Sequence, residues 1–148
     1  MPKPVTLTEL HPHRVTTLRH RAQMVRDAQP PVSLDLELCY TSLDPFAVRI
    51  GLRAEDACVH WSLSRETLLL GLRRHEGIGD VAAWPVHQPG GPGWLRIRLG
   101  PLRGCAVFQT ERDVISDWLD VTLRLVPQET EGDYLPWDTF LASLLDHN

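Results

Sequence analysis

Cysteine is sparse in this chain. Cys39, Cys58 and Cys105 are an odd number in 148 residues, too few and too scattered for a disulfide framework. Each falls in a segment that reads as a strand, where a small thiol packs as a minor apolar side chain in a reducing cytosol. Long apolar runs are missing too: the longest, Leu68 to Leu72, is far short of the ~20 residues that span a bilayer. The first thirty residues lack the apolar stretch of a secretory signal. They are Arg-rich, as organelle transit peptides are, but prolines, acids and histidines interrupt any amphipathic helix there. The expected location is cytoplasmic. Positive charge is also in short supply. The net charge is −4, with five basic side chains against two acidic ones in residues 1–30 and ten against seventeen in the remainder. An acidic body disfavours nucleic acid, because phosphate neutralisation supplies most non-specific affinity.

What the chain does have is a globular composition, 43% hydrophobic, at a length that suits one domain. Residues 1–31 read as a flexible N-terminal extension that stops at the stiff Pro30-Pro31 break. A short helix over Thr16 to Val25 is the other option, since Leu18 and Val25 fall seven apart, and Met24 offers an alternative start. Residues 32–148 read as a single domain. Val32, Leu34, Leu36, Leu38 and Tyr40 alternate with Ser33, Asp35, Glu37 and Cys39, the period-two pattern of a half-buried strand. After the Asp44-Pro45 turn, Phe46, Val48, Ile50 and Leu52 alternate with Ala47, Arg49, Gly51 and Arg53. A third strand sets Val59, Trp61 and Leu63 against Cys58, His60 and Ser62. Three one-sided strands with short links predict an antiparallel sheet.

Ser64 is placed to cap a short helix that runs about two turns from Arg65 before Gly71, where glycine marks a helix end or a close packing contact. Strands are expected over Val81 to Val86, Trp94 to Leu99 and Cys105 to Thr110. Thr110, with Asp113 three residues on, reads as the cap of the longest helix. Its apolar stripe would be Val114, Trp118, Val121 and Leu125, opposite a polar ridge of Asp113, Asp117, Asp120 and Arg124. Pro136 opens a last helix whose apolar face is Phe140, Leu141, Leu144 and Leu145. Strands and helices are segregated, so the fold class is α+β.

Candidate chemistry is thin. Cys58 and His60 share a strand face and would make half a zinc site or a thiol–imidazole pair, but no further ligands stand out. The aspartate ridge is more simply a solvated helix face. Gly77-Ile78-Gly79-Asp80 follows a helix and precedes a strand, the reverse of a dinucleotide loop, and reads as a tight turn that Asp80 can close. His11, His13, Arg14, Arg19, His20 and Arg21 form a basic cluster without the aromatic residues that single-strand binders stack on bases. Among the tryptophans, Trp61 and Trp118 belong to apolar stripes. Trp94 lies on the arginine side of its strand and is the candidate partner contact. No catalytic residue, cofactor or metal is expected.

The most informative stretch is Val59 to Pro85: a strand with Trp61, a helix with Arg65, Leu68, Leu69, Gly71 and Leu72, then Gly77, Gly79, Asp80 and Val81, and a strand closing on Trp84-Pro85. With the strand entry at Asp44, Pro45, Phe46, Ala47 and Val48, this succession resembles the SsgA-like family of sporulation and cell-division proteins of actinobacteria, over roughly residues 32 to 145. The resemblance implies antiparallel sheets in intertwined subunits, most simply a trimer, similar to the "whirly" single-strand nucleic-acid binders. It also implies a cytoplasmic, non-enzymatic regulator that contacts FtsZ, other division proteins or another SsgA-like protein at the sporulation septum. The SsgB-type branch is one of several it leaves open. The whirly likeness raises single-stranded nucleic-acid binding as the alternative function, which the acidic body opposes.

Overall fold

The computed structural model describes residues 13–135 and 137–145. Among them are eight strands: β1 (Val15–Met24), β2 (Val32–Thr41), β3 (Ala47–Ala54), β4 (Ala57–Ser64), β5 (Glu76–Ile78), β6 (Val81–Val86), β7 (Trp94–Leu99) and β8 (Ala106–Glu111). The helices are α1 (Arg65–Gly71), α2 (Arg112–Leu125) and α3 (Trp137–Leu145), with a single 3-10 turn at Glu131–Tyr134. All eight strands join one curled antiparallel sheet in the order β4-β3-β2-β1-β8-β7-β6-β5. The fold is α+β, as the segregation of strands and helices predicts.

Alternation builds the sheet. Leu34, Leu36, Leu38 and Tyr40 of β2, Val48, Ile50 and Leu52 of β3, and Leu95, Ile97 and Leu99 of β7 are all buried on the inner face. The helix α2 closes that face with Ile115, Trp118, Leu119 and Thr122. This is one residue away from the expected stripe: Val114, Val121 and Leu125 are only half-buried, while Asp113, Asp117, Asp120 and Arg124 are exposed as predicted. The expected cap is also displaced. Thr110 is the buried penultimate residue of β8, its hydroxyl donating to the Arg21 carbonyl at 3.0 Å, and Glu111 stands at the helix start without a side-chain capping bond. A threonine between two apolar runs suits a strand as well as a cap, and the sheet takes it.

The N-terminal region differs most from expectation. Residues 15–24 form neither a helix nor a flexible extension. They are β1, paired along its whole length with β2, from Val15↔Thr41 to Met24↔Val32. Gln23 and Met24 also pair with Gln109 and Phe108 of β8, so β1 joins the two four-stranded halves of the sheet. Pro30-Pro31 therefore sits in the β1–β2 link, which Arg26 tightens by donating to the Pro30 carbonyl at 2.8 and 3.1 Å. Residues 1–12, including His11, lie outside the described residues.

Two other local readings hold. The Ser64 hydroxyl accepts from the Thr67 amide at 3.3 Å and caps α1. Gly71 ends that helix against β6, where an added Cβ would lie 2.6 Å from the Ala83 Cβ. The turn expected over Gly77–Asp80 is only half as long: Gly77 and Ile78 belong to β5, pairing Ala82 and Val81, and the turn is Gly79-Asp80, with Gly79 at φ 60. Asp80 does not close the turn on itself; its main-chain carbonyl accepts from Gly100 N at 2.8 Å and ties the turn to the end of β7. The last helix departs from expectation. Leu141, Leu144 and Leu145 are 52%, 52% and 71% exposed, so these members of its apolar face are not packed on the core. Pro136 and the Phe140 side chain lie outside the description.

Candidate functional site

Among the described residues, two places concentrate polar side chains. The first is buried. Arg65, at the first position of α1, is 1% exposed, an unusual place for a guanidinium unless it is fully partnered. Its Nη1 donates to the carbonyls of Thr122 (3.1 Å) and Val126 (2.7 Å) at the end of α2, and its Nη2 donates to Glu131 Oε1 at 2.8 Å. The guanidinium lies 4.9 Å from the Tyr40 ring centroid, and the Tyr40 hydroxyl donates to the Pro45 carbonyl at 2.9 Å. One side chain thus binds β2, α1, the C-terminal end of α2 and the 3-10 turn, complementing the helix dipole at its negative end. Burial would raise the Glu131 carboxyl, but the Arg65 hydrogen bond, backbone amides and the Arg65 charge outweigh it and hold the carboxyl low. Burial dominates at Tyr40 and pushes its hydroxyl up to about 12, against the opposing Arg65 charge. This is a structural joint, with the guanidinium buried and Glu131 at its rim.

The second place is open. A concavity of about 860 Å³ lies on the outer face of β1–β4. Cross-strand register sets its side chains in rows: Arg21, Asp35, Arg53 and Cys58 in one, and Arg19, Glu37, Gly51 and His60 in the next. Arg19 pairs with Glu37 at 3.1 Å and Arg21 with Asp35 at 2.7 Å. Cys58 Sγ lies 3.3 Å from His60 Nε2, so the sequence-predicted pair does meet, on the exposed face of an edge strand. Among the described residues, no group of three or more His, Cys, Asp or Glu gathers to hold a metal ion.

The remaining candidates disperse. Asp113, Asp117 and Asp120 are exposed along α2, with Asp113 3.4 Å from Arg112. Of the basic cluster, Arg19 and Arg21 lie on the outer face, whereas His20 is half-buried and 3.2 Å from Glu111. Trp94 is half-buried at the start of β7, between Val86 and Glu111 in register. Trp84 stacks on His75 with centroids 5.5 Å apart. Sequence reasoning missed Arg65 as a buried centre. An isolated arginine at a helix start carries no signal of burial, and its partner Glu131 lies far along the chain. No helix among the described residues is long and apolar enough to cross a membrane.

Comparison with known proteins gives this architecture its relatives. Residues 34–131 match the family described as Streptomyces sporulation and cell division protein, SsgA. The chain is 35% identical over 124 residues to the sporulation-specific cell division protein SsgB of Thermobifida fusca, covering 83% of this chain and 89% of that one. It is 33% identical over 134 residues to the SsgB of Frankia casuarinae, covering 90% and 93%. The crystal structure of an SsgA-like sporulation-specific cell division protein from Thermobifida fusca superposes with a TM-score of 0.79 at 33% identity, over 88% of this chain and 95% of the other. A structure solved in work on SsgB mutations that correlate with longitudinal cell division during sporulation of Streptomyces coelicolor gives 0.76 at 26% identity, over 84% and 98%. With the ordered residues from Asp44 to Pro85 inside the matched span, the chain belongs to the SsgA family of sporulation and cell division proteins.

Proposed function

We propose that this protein is a non-enzymatic regulator of sporulation-specific septation that helps position or recruit FtsZ, or other division proteins, by direct contact at the septum. The observation that carries the reading is the family match over residues 34–131, joined to relatives named sporulation-specific cell division proteins. The side chains themselves support contact rather than chemistry. The polar network around Arg65 is built on a buried guanidinium spent on helix-end carbonyls and Glu131, and the open concavity is lined by charge and a sheet edge. The protein acts as a homo-oligomer, most simply a trimer. Surface available for association includes the exposed leucines of α3. Several copies of one surface gain avidity for a polymer even when each contact is weak. Trp94→Ala is the first single change to try at a partner contact, because the indole is half-buried on the outer sheet face and not part of the buried core. The test is deletion of the gene with imaging of division rings in sporulating hyphae. Missing or misplaced ring ladders are expected; normal ladders and normal spore chains, with no related gene compensating, would refute the proposal.

A further inference from the structure

The outer face of β1–β4 carries positive charge that the fold leaves unmatched. Arg19 and Arg21 on β1 are neutralised by Glu37 and Asp35 on β2. Arg49 and Arg53 on β3 are exposed, and among the described residues neither has an ion pair or hydrogen bond. Register explains why. Arg49 faces Cys39 on one side and Ser62 on the other, both uncharged. Arg53 faces Cys58 and Asp35, and the Asp35 carboxylate is already held by Arg21. The two arginines stand on either side of Gly51 on one strand face, their Cα atoms ~13 Å apart at strand spacing. At Gly51, between them, a Cβ would meet the His60 ring at 3.5 Å and the Glu37 Cβ at 3.9 Å, ordinary contact distances, so the position accepts a side chain.

The groove is bounded by an edge strand. Among the described residues β4 pairs on one side only, with β3, and Ala57 to His60 are all exposed. Its unpaired backbone groups can take an added extended segment, the usual liability of such an edge and a common recognition mode. A segment beside β4 would run about 10 Å from β3, within the combined reach of an arginine and a glutamate side chain. We infer that this face is a docking groove for an extended acidic peptide of a partner protein, which adds alongside β4 and sets carboxylates on Arg49 and Arg53. The inference rests on the proposed role as an interaction protein and supplies its surface and the chemistry of its partner. A phosphate polymer fits less well, since its backbone carries a charge at every unit. Arg19 and Arg21 are already paired, and among the described residues only Arg49 and Arg53 of the groove's arginines, ~13 Å apart, are left to meet it. Residues 1–12 contain one acid, Glu9, and so do not supply the pattern themselves.

The test uses the full-length protein and a fluorescein-labelled octapeptide alternating threonine and glutamate, followed by anisotropy, with the lysine counterpart as control. Saturable, salt-sensitive binding is expected. It should weaken at least about tenfold in the Arg49→Glu/Arg53→Glu double variant and in Gly51→Val, which fills the groove from a strand position that accepts a side chain. Circular dichroism and urea midpoints identify variants that keep the fold. Bound peptide should also slow iodoacetamide labelling of Cys58, in the groove, without slowing that of Cys105, outside it. The inference is overturned by no binding to the wild type, by binding that survives both changes, or by equal binding of oligothymidine through the same arginines. Self-association that depends on those arginines, without peptide binding, would also overturn it by naming a second copy as occupant. Co-sedimentation with FtsZ polymers separates this inference from the broader function. Pelleting of wild type and double variant alike overturns the groove and leaves the function standing. Peptide binding lost in the variant, with no pelleting of either, supports the groove and removes FtsZ as the partner.

Discussion

Replacing Arg65 with methionine tests the physical account of the fold at its most concentrated point. Methionine keeps the aliphatic stem but removes the donors to Thr122, Val126 and Glu131. The Thr122 carbonyl retains one partner, the Val126 amide at 2.9 Å. Glu131, with 15% of its side chain exposed, is left as a largely buried carboxylate without its counter-charge. Removing one partner of a buried ion pair costs about 3–5 kcal/mol, and the orphaned Val126 carbonyl falls within the range of about 1–3 kcal/mol for a lost partner. These overlap, so a loss of ~4 kcal/mol is expected, or roughly 10–15 °C in melting temperature for a chain of this size. Urea unfolding followed by circular dichroism measures it. Adding Glu131→Gln to Arg65→Met should recover part of the loss, because the double variant buries no unpaired charge. A loss below about 1 kcal/mol for the single variant, or a double variant no better than the single, would refute the reasoning.

Acid and alkali should act on the same joint with opposite signs. Glu131, held below its ordinary 4.5, contributes stability that is complete above that value and lost as pH falls through its lower folded one; Glu131→Gln should flatten the acid limb of a stability–pH curve. Tyr40, raised from 10.0 to about 12, contributes fully below pH 10 and loses that contribution as pH rises toward 12, a limb that Tyr40→Phe should abolish. Gly71→Ala should destabilise by about 1–3 kcal/mol through overpacking, despite alanine's better helix propensity, because the new methyl meets Ala83; a higher urea midpoint would contradict the close approach seen here. A chain begun at Met24 lacks β1 and with it the join between the two halves of the sheet. It should show no cooperative unfolding transition by circular dichroism or calorimetry.

The strands that could be read from sequence are those whose inner positions are large and apolar. Leu34, Leu36 and Leu38 announce β2, and Val48, Ile50 and Leu52 announce β3, because period two has no competing explanation there. β1 was illegible for the same reason in reverse. Its inward positions are Thr16, Leu18, His20 and Ala22, only one of them a large apolar residue, and they pack because neighbouring strands supply the bulk. The α2 stripe was misplaced by one position, since Val114, Ile115, Trp118, Leu119 and Val121 fit two adjacent faces of one helix. The sheet, not the helix, decides between them. The outer arginines were legible as a polar face, but the groove was not. It depends on which charges register across strands and so cancel, a property of pairing rather than of any one segment.

The central claim is that this protein helps determine where division machinery assembles, and timing tests it most directly. Fluorescent fusions of this protein and FtsZ, imaged together through sporulation, report which reaches a future septum first. A protein that positions rings must be present when they form. The account predicts foci of this protein at ring sites no later than FtsZ, and loss of regular FtsZ spacing in its absence. Arrival only after rings are complete, or accumulation away from septa, would contradict it.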